Sequence, residues 1–573
     1  MDREQVAQAL SEIAALLELT GESPYRVRAY QAAARSIADY PGDLRHARAS
    51  GALARLKGIG PATIEIVADL LDSGHSQVLE VLRDQVPPGL ADLLKIGGLG
   101  VARVRTIHES LHVDSLEELE SAARDGRLAR LPRFGPRTAE RVLRGIAFLR
   151  QQAGMLLVHH ARRDVEAVGG ALADVAGVDH VAVAGSMRRR CELVGDLDFV
   201  LVTTAPTDLV LDAVRRLPGV AEAVRAAPDA LRLRLESGAA ADAYLTPPER
   251  FGLALVHATG SAAHLEQLAA RAERRGLHWS RTDLAGAEAP AQLAHESDIY
   301  RALGLPWIPP ELREGMGELE AADAGRLPTL VEPGDLRGFL HCHSDYSDGA
   351  STVAEWAAAA RAAGYGYLGI TDHSPATAFG GGLHPDDIGR QHAEIDAENA
   401  SGTGLRLLKG VEADILADGS LDYTADLRRR FDFIIASVHS RHGMSADEMT
   451  ARMLKAMDDP TMTILGHPTG RLLLSRDPYP LDLDAVFSGA AARGVAIEIN
   501  ADPQRLDLDW RILRRARDAG VTISIGADAH GAAQLHHMEF GIGIARKGWL
   551  GADAVINTRS LEEFLAFAAR GTP

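Results

Sequence analysis

Hydrophobic and polar positions divide this chain into three stretches with different rhythms. Residues 1–150 read as helices separated by short glycine-rich turns. In the middle, short apolar runs at His180–Ala184 and Phe199–Val202 read as strands flanking a glycine- and arginine-rich loop. The C-terminal part repeats one unit: an apolar run, a histidine or carboxylate, then a Gly/Pro/Ser turn. The runs Phe339–Leu340, Leu368–Ile370, Leu405–Leu408, Phe433–Ala436, Met462–Leu465, Ala496–Ile499 and Thr522–Ile525 predict strands. Ala-, Leu- and Arg-rich stretches such as Val353–Ala363 and Trp510–Ala519 predict helices between them. That alternation predicts a βα barrel with its site at the C-terminal ends of the strands.

The polar residues ending those runs carry candidate chemistry. They are His341, His343 and Asp348, then His373, Glu412, His439, His467, Asp528 and His530. Residues i and i+2 of a strand share a face, so His341 with His343, and Asp528 with His530, can grip one cluster. Neutral imidazoles with a few carboxylates suit Mn²⁺, Zn²⁺ or Fe, and closely spaced ions clamp a phosphoryl group and activate water. Asp372 is expected to orient a ligand imidazole. Arg441 and Arg471 are candidates for holding a substrate phosphate, and His536 and His537 for rim positions.

A second constellation lies upstream. Gly185-Ser186-Met187-Arg188-Arg189 is followed by Gly195-Asp196-Leu197-Asp198. Asp196 and Asp198 share a strand face and can ligate the same pair of Mg²⁺ ions. Gly185 and Ser186 offer close-approach backbone and a hydroxyl to a triphosphate, with Arg189 or Arg188 neutralising it. Asp242 is the best-placed third carboxylate. Further upstream, three turns enter helices through glycine: Lys57-Gly58-Ile59-Gly60-Pro61, Gly97-Gly98-Leu99-Gly100 and Leu131-Pro132-Arg133-Phe134-Gly135-Pro136, with Arg137 just inside the last. Backbone N–H groups at such turns can meet a DNA phosphate.

These motifs resemble three known arrangements. The nine histidines and carboxylates resemble the metal ligands of the PHP (polymerase and histidinol phosphatase) superfamily, with every ligand position filled. The Gly-Ser and Gly-Asp-x-Asp segments, with Thr259-Gly260-Ser261 as the turn beside the nucleotide, resemble family X DNA polymerases. The glycine turns resemble helix-hairpin-helix motifs. In this order the parts resemble bacterial family X DNA polymerases with a C-terminal PHP domain.

The resemblance implies a multidomain fold: an all-α helix-hairpin-helix region, an α+β nucleotidyltransferase core and a distorted (βα)7 barrel. Expected boundaries are 1–85, 86–150, 151–265 (palm), 266–318 (nucleotide side), a linker at 319–335, and 336–573. It implies short-gap filling from deoxynucleoside triphosphates in base excision repair, with Mg²⁺ or Mn²⁺ at the polymerase core. It also implies a 3′–5′ exonuclease, and an abasic-site endonuclease, using up to three Mn²⁺ or Zn²⁺ ions in the barrel.

The chain departs from that pattern in places. Ile66 stands where many family X enzymes carry a lyase lysine, so Schiff-base removal of a deoxyribose phosphate is not expected. His257-Ala258 replaces an aromatic pair, Leu265 an asparagine, and Ala240 an arginine two residues before the third aspartate. Looser nucleotide selection is expected.

Charge refines the picture. The net charge of −18 over 573 residues alone argues against nucleic acid, yet residues 121–150 carry eight arginines against two carboxylates. Two cysteines and the absence of any apolar run near membrane-spanning length lead us to expect a cytoplasmic protein. The resemblance implies gapped or nicked duplex DNA as its partner, and a monomer is expected. Two alternatives stand beside this: a phosphatase of small phosphomonoesters with a degenerate polymerase module, and a non-catalytic DNA-end scaffold.

Overall fold

The computed structural model describes residues 3–38, 40, 44–56, 58–97, 99–286, 292–377, 381–402 and 404–569. Gly98 and Lys57 of the predicted turns lie outside them. The chain forms two compact units, residues 1–153 with 474–477, and residues 154–473 with 478–573.

The first unit is helical. Gly60, Gly100 and Gly135 are the N-cap residues of helices Pro61–Ser73, Val101–Leu111 and Pro136–Gln151. Pro61 and Pro136 follow two of these caps, where the lost N–H has no helical partner anyway. Gly58 has a different duty. Its φ is +81°, and a Cβ there would come within 2.7 Å of the Ala32 side chain and 2.8 Å of the Ala33 nitrogen, so glycine lets the turn pack on helix Pro24–Ala38. Ile66 is buried in the apolar core, so this position of helix Pro61–Ser73 presents no group to a substrate. Arg133 and Arg137 are exposed on either side of the Gly135 cap.

The second unit begins with a five-stranded sheet in the order Val178–Val183, Leu197–Thr203, Ala240–Thr246, Ala230–Leu235, Val220–Ala227. Leu197–Thr203 and Ala240–Thr246 run parallel, with Asp198 directly beside Asp242. Helices Phe251–Thr259, Ala262–Arg274 and Glu296–Ala302 follow and pack around their own core of Leu253, Val256, Leu268, Ile299 and Tyr300.

Seven parallel strands then form one sheet in strict chain order: Gly338–Phe339, Tyr367–Ile370, Arg406–Asp414, Phe433–Ser437, Met462–Leu465, Ala496–Asn500 and Ile523–Gly526. The first and last edges meet just beyond their strands. His343 N donates to Ala529 O at 2.9 Å, and Cys342 bridges Ala529 in parallel. The strands are buried almost throughout, as expected of a parallel sheet covered by helices on its outer face. One strand is longer than its apolar run predicts. Arg406–Asp414 pairs first with Tyr367–Ile370 and then, from Gly410, with Phe433–Ser437, so Glu412 lies within a strand facing Ile435. The distorted seven-stranded βα barrel expected from the sequence is the fold observed.

Candidate active sites

At the barrel's mouth, strand ends bring donor atoms together in three overlapping groups, each within 4.8 Å. They are His343, Asp348, His373 and His530; His341, His343, Glu412 and Asp528; and His373, Glu412 and His439. Glu412 is the hub. Its Oε1 lies 2.9 Å from His467 Nε2 and 3.3 Å from His439 Nε2, and its Oε2 lies 2.8 Å from His373 Nδ1. His467 joins the cluster through that contact. All nine predicted ligands therefore converge.

The donor set fits divalent cations. Among the described residues, His341 Nε2 and His343 Nδ1 are buried without a hydrogen-bond partner, an arrangement costly unless a ligand completes it. Burial and the neighbouring His373 and His530 push His343 down to about 3, keeping it in the neutral form that ligates. Burial opposes charge on His439, but Glu412 and Asp414 outweigh it and push that ring up to about 10. Two of the candidate ligands occupy left-handed backbone, Asp528 at φ 50° and His467 at φ 24°, a conformation such residues adopt where surrounding structure enforces it.

The supports around these ligands were not legible in the sequence. Glu498 Oε1 lies 2.6 Å from His341 Nδ1, while its Oε2 accepts from His467 N at 2.8 Å and Asn500 Nδ2 at 3.2 Å. Asn500 Nδ2 also reaches Asp528 Oδ2 at 3.1 Å. Gly526 makes room, because a Cβ there would lie 2.0 Å from Glu498 Oε1. The available signal was Glu498 inside the apolar run Ala496–Ile499 and Asn500 two residues on, just past its end.

Two expectations need correction. Asp372 does not hold an imidazole: it accepts from Ser344 N at 2.8 Å, Ser344 Oγ at 2.5 Å, Ser347 Oγ and Gln391 Nε2, fixing the loop that carries Asp348. Arg471 is no phosphate ligand. Buried, it donates to Asp509 Oδ2 at 2.8 Å and to the Arg505 and Leu506 carbonyls, tying two loops together. Arg441 is exposed, and His536 is exposed with Nδ1 on Ala533 O at 2.7 Å.

The second centre lies on the five-stranded sheet. Asp196 is exposed just ahead of strand Leu197–Thr203, and Asp198 is half-buried on it. Burial, with Asp196 and Asp242 close by, raises Asp198 to about 7; three mutually repelling carboxylates again suit bound cations. Gly185 has φ +60°, and a Cβ there would sit 1.9 Å from Asp198 Oδ2, so only glycine brings this backbone against the aspartate. Ser186 Oγ is buried and has no hydrogen-bond partner among the described residues. Gly195 packs beside Met155 immediately before the aspartates. Asp242 is gripped across the sheet by Arg232, with both nitrogen–oxygen distances 2.9 Å. The guanidinium on Asp242 thus comes from the neighbouring strand Ala230–Leu235.

Neither arginine of the loop is loose. Arg188 forks onto Glu296 at 2.6 and 2.9 Å and donates to Thr259 Oγ1 at 2.8 Å. Arg189 donates to Glu314 Oε1 at 2.8 Å and to Thr259 O at 2.7 Å. Both hold the Thr259-Gly260-Ser261 turn, whose Ser261 caps helix Ala262–Arg274 by accepting from His264 N. His257 stacks on Trp279 with centroids 4.5 Å apart, so part of the missing aromatic surface comes from elsewhere in the chain. Burial holds His257 neutral, down to about 4. A cavity of about 340 Å³ opens beside Tyr244, His257, Ala258, Leu265 and Arg281.

The fold and its two centres define a class: a metal-dependent phosphoryl-transfer protein joining a nucleotidyltransferase-type sheet to a phosphoesterase barrel. Family comparisons agree. Residues 1–76 match the helix-hairpin-helix domain, 90–147 the SAM-like helix-hairpin-helix tandem, 254–314 the DNA polymerase beta thumb and 340–501 the PHP domain. The chain is 34% identical to the DNA polymerase/3′–5′ exonuclease PolX of Bacillus subtilis (strain 168), covering 100% of both chains, and it belongs to that bacterial PolX family. Its C-terminal part is also 29% identical to a probable phosphatase of Thermoanaerobacter sp. (strain X514), over 38% of this chain and 89% of that one. A probable phosphatase of Syntrophotalea carbinolica (strain DSM 2380 / NBRC 103641 / GraBd1) is 29% identical over 41% of this chain and 96% of its own.

Proposed function

We propose that this chain is a DNA polymerase with a metal-dependent 3′–5′ exonuclease in its barrel, acting on gapped or nicked duplex DNA during base excision repair. The observation that carries it is the coexistence of two metal-type centres, Asp196/Asp198/Asp242 on one sheet and nine ligands at the barrel mouth. The phosphatase reading leaves the sheet centre without a task, and the scaffold reading leaves both.

At the sheet, Asp196, Asp198 and Asp242 would hold Mg²⁺ or Mn²⁺, which when bound neutralises a triphosphate and lowers the pKa of a primer 3′-hydroxyl. Gly185 backbone and Ser186 Oγ meet the phosphate tail, and Gly195 lets it approach the aspartates. Arg189 supplies positive charge to the same tail. Asp242, held by Arg232, faces the primer side and accepts the hydroxyl proton. Thr259, Gly260 and Ser261 border the nucleotide, and the cavity beside Ala258 and Leu265 leaves its sugar loosely gripped.

At the barrel, His341, His343, Asp348, His373, Glu412, His439, His467, Asp528 and His530 would hold up to three Mn²⁺ or Zn²⁺ ions, which when bound polarise a phosphodiester and activate water. Glu498 and Asn500 keep the ligand atoms aimed. Incision at abasic sites is a further expected use. Gly58, Gly60, Gly98, Gly100, Arg133, Gly135 and Arg137 form the DNA-backbone grip. Among the described residues no helix is long and apolar enough to cross a membrane. A cytoplasmic monomer is the proposed form.

The test uses an end-labelled gapped duplex with Mn²⁺, with and without deoxynucleotides. Asp196→Ala with Asp198→Ala should abolish lengthening only, and His341→Ala shortening only. Loss of neither activity in its variant would refute the assignment.

A further inference from the structure

The loop that carries Arg189 is clamped by the barrel. Glu192 is buried and accepts from Trp510 Nε1 at 2.8 Å and from Arg511 Nη1 at 2.6 Å, both on helix Trp510–Asp518. Alongside, the last residue of helix Met538–Lys547 reaches the nucleotide-side carboxylate directly. Lys547 is fully buried, lies 4.2 Å from the centre of the Trp510 ring, and donates to Glu314 Oε1. The same oxygen accepts from Arg189 Nε at 2.8 Å. One carboxylate therefore serves two cations, one from each catalytic region.

Charge explains why that sharing matters. A desolvated carboxylate facing a single guanidinium would hold it tightly, because removing a partner from a buried pair leaves uncompensated charge. With Lys547 satisfying Glu314, Arg189 gives up less when it turns away. Burial opposes charge on Glu314, but Lys547 and Arg189 outweigh it and keep the carboxyl below its ordinary value. Arg189 has a donor to spare: its Nη2 has no hydrogen-bond partner among the described residues, while Nη1 anchors the Thr259 carbonyl.

We propose that Lys547, a barrel residue, is a positioning residue of the nucleotidyl-transfer site: by sharing Glu314 it releases the Arg189 guanidinium toward an incoming triphosphate. This rests on the reading that Arg189 meets the triphosphate. The barrel is then part of the polymerase's nucleotide affinity as well as a nuclease.

The test is steady-state gap filling by the full chain, with nucleotide KM and kcat measured for Lys547→Met, Glu314→Gln, their combination, and Arg189→Gln. Lys547→Met should raise nucleotide KM about fivefold, the scale of coupling between linked sites, with kcat within about twofold. Shortening of the same DNA without nucleotides should be unchanged. Glu314→Gln should not raise KM, and adding Lys547→Met to it should have no further effect, because the carboxylate that couples them is gone. A wild-type KM in Lys547→Met, or a double variant keeping the raised KM, overturns the proposal. If Lys547→Met loses both activities together, Glu314→Gln decides: a raised KM overturns the proposal, and an unchanged or lowered one supports it. An unchanged KM in Arg189→Gln would instead refute the triphosphate reading beneath it.

Discussion

Glu498→Gln should weaken the barrel's metal centre without touching any ligand. The carboxylate has three partners, His341 Nδ1 at 2.6 Å, His467 N at 2.8 Å and Asn500 Nδ2 at 3.2 Å. An amide cannot serve all three. With its oxygen toward His341, its NH₂ faces two other donors, leaving buried N–H groups unsatisfied at about 1–3 kcal/mol each. Flipped, its NH₂ confronts His341 Nδ1 and drives the proton to Nε2, the nitrogen aimed at the cluster. Either way the loss matches the 10- to 100-fold effect typical of such supporting residues, about 1.4–2.8 kcal/mol. The assay is Mn²⁺ binding by calorimetry without DNA, paired with the Mn²⁺ dependence of 3′-end shortening. Mn²⁺ affinity unchanged within about twofold would contradict this account, because it would mean Glu498 neither fixes the tautomer nor organises the strand ends.

Other outcomes follow from the same geometry. Glu296 is held down to about 2: burial opposes its charge, but forks from Arg188 and Arg313 outweigh that, so Glu296→Gln should cost about 3 kcal/mol of stability at neutral pH. Because the folded pKa is depressed, the difference from wild type should be constant above about pH 5 and shrink as pH falls toward 2; a difference growing on acidification in denaturant titrations would contradict it. Arg471→Ala should lower thermal stability and leave the KM for DNA shortening unchanged, since its guanidinium is spent on Asp509 and two carbonyls; a raised KM with unchanged melting would restore the phosphate-binding role. Polymerisation should be weak or Mn²⁺-dependent, with poor rejection of ribonucleotides, because Ala258 and Leu265 border an open cavity; efficient extension in Mg²⁺ alone, strongly selective for deoxynucleotides, would count against it. Borohydride should trap no DNA adduct at position 66, where the buried Ile66 has no amine, and peptide mapping of a treated complex checks this.

Where the chemistry lies was already readable along the chain, because strand alternation and ligand type are local properties. His341 with His343, and Asp528 with His530, announce a shared face at spacing two, and the apolar runs between them already imply seven strands. Gly185 was legible for the same reason: close approach of backbone needs glycine wherever it occurs. Which distant groups support those residues emerged from the folded chain alone. Glu498 meets His341 across 157 positions and Arg188 meets Glu296 across 108, pairings fixed by register and packing that no local pattern encodes. Asp372 and Arg471 were misassigned for that reason. A buried carboxylate or guanidinium binds whatever donors or acceptors the fold delivers to it, and here these were the Ser344 loop and the Arg505 and Leu506 carbonyls rather than an imidazole or a phosphate.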